Sequence, residues 1–239
     1  MDYEQLARKE CFDWQKKMMK RSSAFSRAAN SVQKKINDKI PQKVHDVITK
    51  SVKGVVKTVM FGSEITTKQS PIKEMSLYKR EELVKQIITN YKRLATIEGA
   101  GTGAGGLWWG LADFPMLLTL KIKFLYEVAS IYGFDVKDYR ERLYVLHVFQ
   151  VAFSNDKKRM AAFLKLKNWP ETVSHYSTIE ELDWQEFQQD YRDYIDLVKL
   201  LQIIPGFGAI VGAVGNYRFL NELGKTAMNA YRMRLFDLD

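Results

Sequence analysis

A run of 22 residues, from Gly99 to Leu120, constrains this 239-residue chain more than any other feature. It contains one ionisable residue, Asp113, and six glycines precede that aspartate. An apolar run of this length can span a bilayer or be buried completely, but so many glycines disfavour an ordinary core helix. A second run, from Leu197 to Val214, has one charge, Lys199, followed by Pro205 and three glycines. Any functional interpretation therefore has to account for these two segments.

Hydrophobic spacing in the rest of the chain is that of helices, and no run alternates with the period of two that indicates a strand. We predict an all-α, single-domain helical bundle over residues 77–236, with closely packed, glycine-rich central helices. A basic N-terminal helical arm over residues 1–62 precedes it. The spacing predicts helices over residues 44–59, 83–95 and on into the first apolar run, 116–132, 139–149, 156–167, 183–204 and 208–236.

Local signals at the helix ends support these boundaries. Ser76 is a candidate N-cap for the helix that continues into the glycine-rich run, and Gly133 is placed to end the helix over 116–132. Asp138 and Glu141 have the spacing of a capping box, and Thr178–Glu181 repeats it. A capping box predicts that the glutamate side chain returns to the backbone at the helix start.

Basic residues are concentrated in the first quarter of the chain. Residues 1–60 contain 14 Lys or Arg and 6 Asp or Glu, a net charge of +8 out of +9 for the whole chain. Such a cluster favours an anionic membrane surface, although a solvated helix face is also compatible with it. Nucleic acid is an unlikely partner, because no reading module accompanies the cluster. The candidate membrane-surface residues are Lys16, Lys17, Lys20, Arg21, Lys34 and Lys35.

Catalytic and metal-binding motifs are missing from the sequence. The single cysteine, Cys11, excludes an intramolecular disulfide and a cysteine-cluster metal site. His45, His147 and His175 are isolated from any metal-ligand or nucleophile motif, so we expect each on the surface or on a helix face. We predict no catalytic residue, metal or cofactor. The charged N-terminal sequence has no apolar core of a secretory signal, which predicts a cytoplasmic location.

Glycine spacing suggests helix packing. Gly101, Gly103 and Gly106 match a dinucleotide-binding loop, but no strand precedes them, so that interpretation fails. Glycines four residues apart remove the side chains from one helix face, which allows two helices to approach closely in protein or in lipid. Without such packing, each glycine destabilises a helix in water by up to about 1 kcal/mol. The candidate packing or ligand residues are Gly101, Gly105, Gly106, Asp113, Pro115, Pro205, Gly208 and Gly212.

Asp113 is the one charge in the first apolar run, and two roles are open to it. Burial would raise its pKa and suit it to carry a proton or contact a ligand. However, Phe114 and Pro115 follow it, which is the pattern of a helix start where the carboxylate accepts from first-turn N–H groups. We expect the N-cap role.

Two passages resemble the EcsC family of bacterial proteins. The first is GAGTGAGGLWWGLADFPMLLTLKIKFLYEVASIYGFD, followed by the apolar stretch YVLHVF, and the second is IIPGFGAIVGAVGNYRFLNELGKTA. The resemblance covers roughly residues 77–230. Members are named for association with the Ecs-type ABC transporter gene cluster, and no settled enzymatic activity comes with the name. The resemblance therefore implies an accessory protein, cytoplasmic or membrane-associated, and transfers no catalytic residue.

Together these features predict a non-enzymatic accessory protein, peripheral at the inner face of the cell membrane. It would act with an ABC transporter or secretion system and contact anionic lipid headgroups. Its glycine-rich segments would form a packed pair or a shallow insertion. Two alternatives stay open: a soluble helical protein that binds a small apolar ligand between those segments, and a hydrolase or transferase with an unrecognised site near Asp113.

Overall fold

A computed structural model describes residues 2–20, 50, 54, 75–103, 114–154, 156–176 and 208–236 of the chain. These residues form helices and no strand, which confirms the all-α class. In chain order the helices are α1 (Tyr3–Met19), α2 (Leu77–Gly103), α3 (Phe114–Tyr132), α4 (Tyr139–Phe153), α5 (Asp156–Lys167), α6 (Trp169–Ser174) and α7 (Gly208–Leu235).

The two longest helices, α2 and α7, form the most extensive helix pair in the described structure. They run antiparallel, because Glu81 near the start of α2 bonds Arg232 near the end of α7, whereas Lys92 further along α2 donates to Asn221. Glu81 and Lys92 are eleven positions apart on α2, and Asn221 and Arg232 are eleven positions apart on α7. The pair therefore keeps one register over at least three helical turns.

The two helices approach each other closely at a glycine. A Cβ added to Gly224 of α7 would lie 2.6 Å from Cδ1 and 2.8 Å from Cγ1 of Ile88 on α2. Both distances are shorter than carbon atoms tolerate, so a glycine at this position allows the contact. A packing glycine is thus present between the long helices, at a position that the four-residue spacing had not indicated.

One hydrophobic core joins all of these helices. Helix α1 contributes Ala7, Cys11, Trp14 and Met18, whose spacing puts them on one buried face. Between the longer helices the core is filled by fully buried aromatic side chains, among them Tyr126, Tyr132, Tyr144, Tyr231, Phe124, Phe149, Phe153 and Phe163.

The end of α3 confirms the glycine stop predicted from sequence. Gly133 has a φ of 92°, a left-handed conformation that glycine adopts without strain. Its N–H donates to the carbonyl of Ser130, and the next N–H, of Phe134, donates to Ala129, which together form a Schellman motif. The Arg80 guanidinium also donates to the Tyr132 carbonyl at 3.0 Å, so α2 helps to cap α3.

The predicted capping box at α4 is half right. Asp138 is the N-cap, and its carboxylate accepts from the Arg140 N–H at 2.9 Å. The expected return bond from Glu141 to the helix start is wrong, because that carboxylate is buried and bonds Tyr231 and Arg234 on α7 instead. Interhelical charge pairing has taken the side chain that local spacing assigned to a cap.

Other helix boundaries agree closely with the sequence prediction. Helix α2 begins directly after Ser76, whose hydroxyl lies 3.5 Å from the Lys79 N–H, and it continues through Gly101 to Gly103. Helix α5 has the predicted bounds, and a six-residue helix with Pro170 in its first turn follows it. The predicted helix over 183–204 and the capping box at 178–181 lie outside the described residues. So does the predicted helix over 44–59, apart from Lys50 and Gly54, which are helical.

Candidate functional site

A buried ion pair joins α2 to α7 at the point where α1 crosses them. Nε and Nη2 of Arg232 donate to the two carboxylate oxygens of Glu81 at 2.7 and 2.6 Å. The hydroxyls of Tyr3 and Tyr132 donate to the same carboxylate at 2.6 and 3.1 Å. The remaining Arg232 nitrogen, Nη1, donates to Glu10 on α1 at 2.9 Å. Four helices therefore meet at one carboxylate.

These contacts hold Glu81 in its charged form. Burial acts to raise the pKa of Glu81, but the Arg232 guanidinium and the two tyrosine hydroxyls outweigh it, so the pKa lies below its ordinary value. A carboxylate with four donors and no exposure is poorly suited to exchange protons or bind a ligand. The Glu81–Arg232 pair is a structural connection that fixes α1.

A second ion pair, between a buried glutamate and a partly buried arginine, connects α4 to α7. Nη1 of Arg234 donates to Glu141 at 2.6 Å, and the Tyr231 hydroxyl donates to its other oxygen at 2.8 Å. The guanidinium carbon lies 3.8 Å from the centre of the Phe134 ring and 4.4 Å from that of Tyr144, so it is packed between aromatic faces. Burial raises the pKa of Glu141, and Arg234 opposes that rise.

Two stacked tyrosines bring the pairs together. The rings of Tyr132 and Tyr231 lie 5.4 Å apart with an interplanar angle of 18°. One hydroxyl contacts Glu81 and the other contacts Glu141. The two charge pairs are therefore parts of one buried network centred on the last turns of α7.

His147 lies on α4 beside this network and is the one described histidine in the core. It lies on a helix face, which is one of the two expected positions, but that face is buried, since the side chain is 2% exposed. Its Nδ1 lies 3.2 Å from Oε1 of Gln150, which fits the Nδ1–H tautomer, and Nε2 has no hydrogen-bond partner in the described structure. Burial and the nearby charge of Lys165 lower the pKa of His147 to about 4. The imidazole is therefore neutral at physiological pH. Its ring contacts the aromatic rings of Trp169 and Tyr176.

The side of α1 that faces away from the helix bundle is a separate candidate surface, which we call the α1 outer face. Phe12 is 54% and Met19 is 47% exposed, and their separation of seven positions is about two helical turns, so both side chains lie on one side. Nζ of Lys16 lies 4.3 Å from the centre of the Phe12 ring. Lys9 and Lys20 are exposed beside them. The face thus combines apolar side chains with cations.

The predicted membrane-surface residues lie partly on the α1 outer face, partly elsewhere on α1 and partly outside the described residues. Lys16 and Lys20 belong to the α1 outer face, and Lys17 is exposed on the same helix about 140° around from Phe12. Arg21, Lys34 and Lys35 lie outside the described residues.

Of the predicted packing or ligand residues, four lie in described helix backbone. Gly101 is in the last turn of α2, Pro115 is the second residue of α3, and Gly208 and Gly212 are in the first turns of α7. Helix α3 begins at Phe114, directly after Asp113. Asp113 itself, with Gly105, Gly106 and Pro205, lies outside the described residues, so its capping role stays a prediction.

Residues 2–20, 75–103, 114–154, 156–176 and 208–236 contain no group of three or more His, Cys, Asp or Glu side chains placed to hold a metal ion. Within these ranges, no helix combines the length and the apolar character needed to cross a membrane.

Sequence reasoning missed the charge network, although a signal for it exists. Leu77, Glu81 and Val84 have the spacing of one helix face, so an acidic residue interrupts an apolar stripe of α2. Arg232 interrupts the buried stripe of α7 in the same way. A charge within an apolar stripe predicts a buried partner, because an unpaired buried charge costs too much free energy.

Comparison with known proteins extends the resemblance over almost the whole chain. Residues 5–236 match the EcsC protein family. The protein EcsC of Bacillus subtilis (strain 168) is 45% identical over 231 residues, which cover 97% of this chain and 95% of that protein. The uncharacterized protein YdbA of the same organism is 30% identical over 172 residues, or 72% of this chain and 63% of YdbA. No solved structure matches this chain.

Proposed function

Because this chain belongs to the EcsC protein family, we propose that it is a non-enzymatic accessory protein that binds the cytoplasmic face of the cell membrane through α1 and serves an ABC transporter or secretion system there. The observation that carries the membrane part is the α1 outer face, where cations surround exposed apolar side chains. The transporter part rests on the association implied by the family resemblance.

Charge complementarity favours an anionic bilayer as the partner of this face. Each basic side chain near an anionic membrane contributes about 1 kcal/mol of binding, so Lys9, Lys16 and Lys20 together contribute about 3 kcal/mol at low salt. The first 60 residues carry a net +8, which would add long-range attraction. Peripheral binding of this kind requires no membrane-spanning helix.

Vesicle binding tests the membrane part of the proposal. We expect the protein to cosediment with vesicles of equimolar phosphatidylglycerol and phosphatidylcholine, to bind pure phosphatidylcholine far more weakly, and to dissociate as salt is raised. Replacing Lys9, Lys16 and Lys20 with Gln should weaken binding to the anionic vesicles by about 100-fold at low salt.

A charge-matched control separates this face from net charge alone. Lys123, Lys137 and Lys225 are exposed on α3, on the segment before α4 and on α7. Replacing these three with Gln removes the same charge but should change binding much less. Equal losses in the two triple variants would show that overall charge, and no particular face, governs binding. Absence of binding to anionic vesicles would overturn the membrane part of the proposal.

Copurification tests the transporter part. The full-length protein, crosslinked in its native cells before detergent extraction, should capture subunits of an ABC transporter, and the Lys9, Lys16 and Lys20 variant should capture fewer. Capture of no transporter subunit, while vesicle binding holds, would remove the transporter from the proposal and leave the membrane part standing.

A further inference from the structure

We infer that α1 binds the membrane while it stays docked on the bundle, with Phe12 and Met19 inserted at the boundary between headgroups and acyl chains. This inference rests on the proposed membrane function and specifies its geometry. The helix axis would lie in the plane of the bilayer surface, and the bundle would remain on the aqueous side. The partner is the apolar boundary of an anionic bilayer.

The buried side of α1 is held too firmly to be the lipid-binding side. Tyr3 and Glu10 bond the Glu81–Arg232 pair at 2.6 and 2.9 Å. The Trp14 ring lies edge-on to Phe163 of α5, with 5.4 Å between the ring centres. Releasing α1 would break these contacts and expose one end of a buried ion pair, which is strongly unfavourable.

The outer side already has the composition that an interfacial helix needs. Phe12 and Met19 are among the most exposed large apolar side chains of the described structure, at 54% and 47%. Large apolar side chains on one face, with lysines beside them, are typical of helices that lie in the membrane interface. The stacking of the Lys16 ammonium on the Phe12 ring keeps the cation next to the inserted side chain, where it can reach a phosphate.

Insertion of apolar side chains and attraction by lysines predict different salt behaviour. Phe12→Gln and Met19→Gln should each weaken binding to anionic vesicles by about fivefold, since about half of each side chain is available for burial. The slope of affinity against salt should stay that of the parent protein, because no charge is removed. The lysine variant of the previous section should instead flatten that slope.

Leu94 provides a matched control for the apolar substitutions. It is 47% exposed, as Met19 is, but it lies about 20 Å along α2 from Glu81, the point at which α1 is anchored. Leu94→Gln should leave vesicle binding unchanged. Melting temperatures of all three variants should match the parent, because exposed substitutions change stability little.

Cys11 reports whether α1 stays docked. Its thiol is fully buried and donates to the Asn229 carbonyl at 3.5 Å, so a water-soluble maleimide should react with it slowly. We expect the reaction to remain slow when the protein is bound to anionic vesicles. The rate in guanidinium chloride provides the upper reference.

The outcomes distinguish this inference from the proposed function. Fivefold losses in both apolar variants, with a slow thiol reaction on vesicles, support docked insertion. Unchanged binding of Phe12→Gln and Met19→Gln, while the lysine variant still loses affinity, would overturn insertion and leave the membrane function intact. A thiol reaction that accelerates on vesicles towards the unfolded rate would overturn docking. Absence of vesicle binding would overturn the inference and the proposed membrane function together.

Discussion

Acidification should destabilise this protein through one buried side chain, His147. Burial lowers the pKa of His147 from 6.5 to about 4, and the positive charge of Lys165 acts in the same direction. At pH 7 the imidazole is neutral in both the folded and the unfolded chain. Below pH 6.5 the unfolded chain gains a proton that the folded protein excludes, so the free energy of unfolding falls until the pH reaches about 4.

The size of this effect follows from the two pKa values. One pKa unit corresponds to about 1.4 kcal/mol. The interval between 6.5 and about 4 therefore corresponds to a loss of about 3 kcal/mol, of which about 2 kcal/mol is lost by pH 5. The imidazole is 2% exposed, so solvent screening reduces these values little. A loss of this size is a large fraction of the stability of an ordinary domain.

Urea unfolding at pH 7 and pH 5 measures this contribution. His147→Phe keeps a ring against Trp169 but cannot be protonated, and His175→Phe removes an exposed histidine as the control. Between pH 7 and pH 5 the parent and the control should lose about 2 kcal/mol more than His147→Phe. The parent and His147→Phe share every other titrating group, so the difference between these two proteins belongs to His147, and the control shows what removal of an exposed histidine does. Equal losses in all three would refute the reasoning.

Three further changes test the packing of the long helices α2 and α7. Glu81→Gln should cost about 3 kcal/mol in urea unfolding, because it leaves a buried guanidinium without its carboxylate, whereas Glu82→Gln at the exposed neighbouring position should be nearly neutral. Gly224→Ala should cost about 1 to 2 kcal/mol through overlap with Ile88, and this cost should disappear in an Ile88→Ala background. Gly101→Leu should lower the melting temperature by an amount equivalent to about 1 to 3 kcal/mol, and an unchanged melting temperature would mean that no helix lies against that face.

Helix boundaries could be predicted from sequence because their causes are local. Helix α3 ends at Gly133 because of one glycine conformation. Helix α4 starts after Asp138 because that carboxylate accepts a hydrogen bond from an N–H only two residues away. The role of Glu141 could not be found in the same way. Its spacing fitted a cap, but a partly buried arginine 93 residues later competes for the carboxylate and binds it more strongly.

Of the candidate membrane-binding site on α1, only the positive charge could be predicted from the sequence. Lysines on α1 could be identified from composition, since charge clusters need no knowledge of the fold. The exposure of Phe12 and Met19 could not, because apolar residues on a helix are expected in the core until the buried face is known. That face is fixed by Cys11 and Trp14, which pack against α7 and α5, and only the fold reveals those contacts.

Once the register of α2 and α7 is known, the glycine-rich part of one helix can be matched with the part of the other helix that faces it. Lys92 of α2 contacts Asn221 of α7, and the two helices run antiparallel in equal steps. Ile88 of α2 lies against Gly224 of α7. Eleven residues are about three helical turns, so eleven residues further along α2 and eleven residues back along α7 return to the same two faces, at Gly99 and Ala213. Continuing the register therefore predicts that these two small residues face each other, one from each apolar run. Gly99 would then accommodate the backbone of α7, and the helix stability that this glycine forfeits would be recovered in that contact. A four-residue glycine spacing along one helix identifies a face without side chains, whereas the antiparallel register identifies which residues of the partner helix lie against a given face.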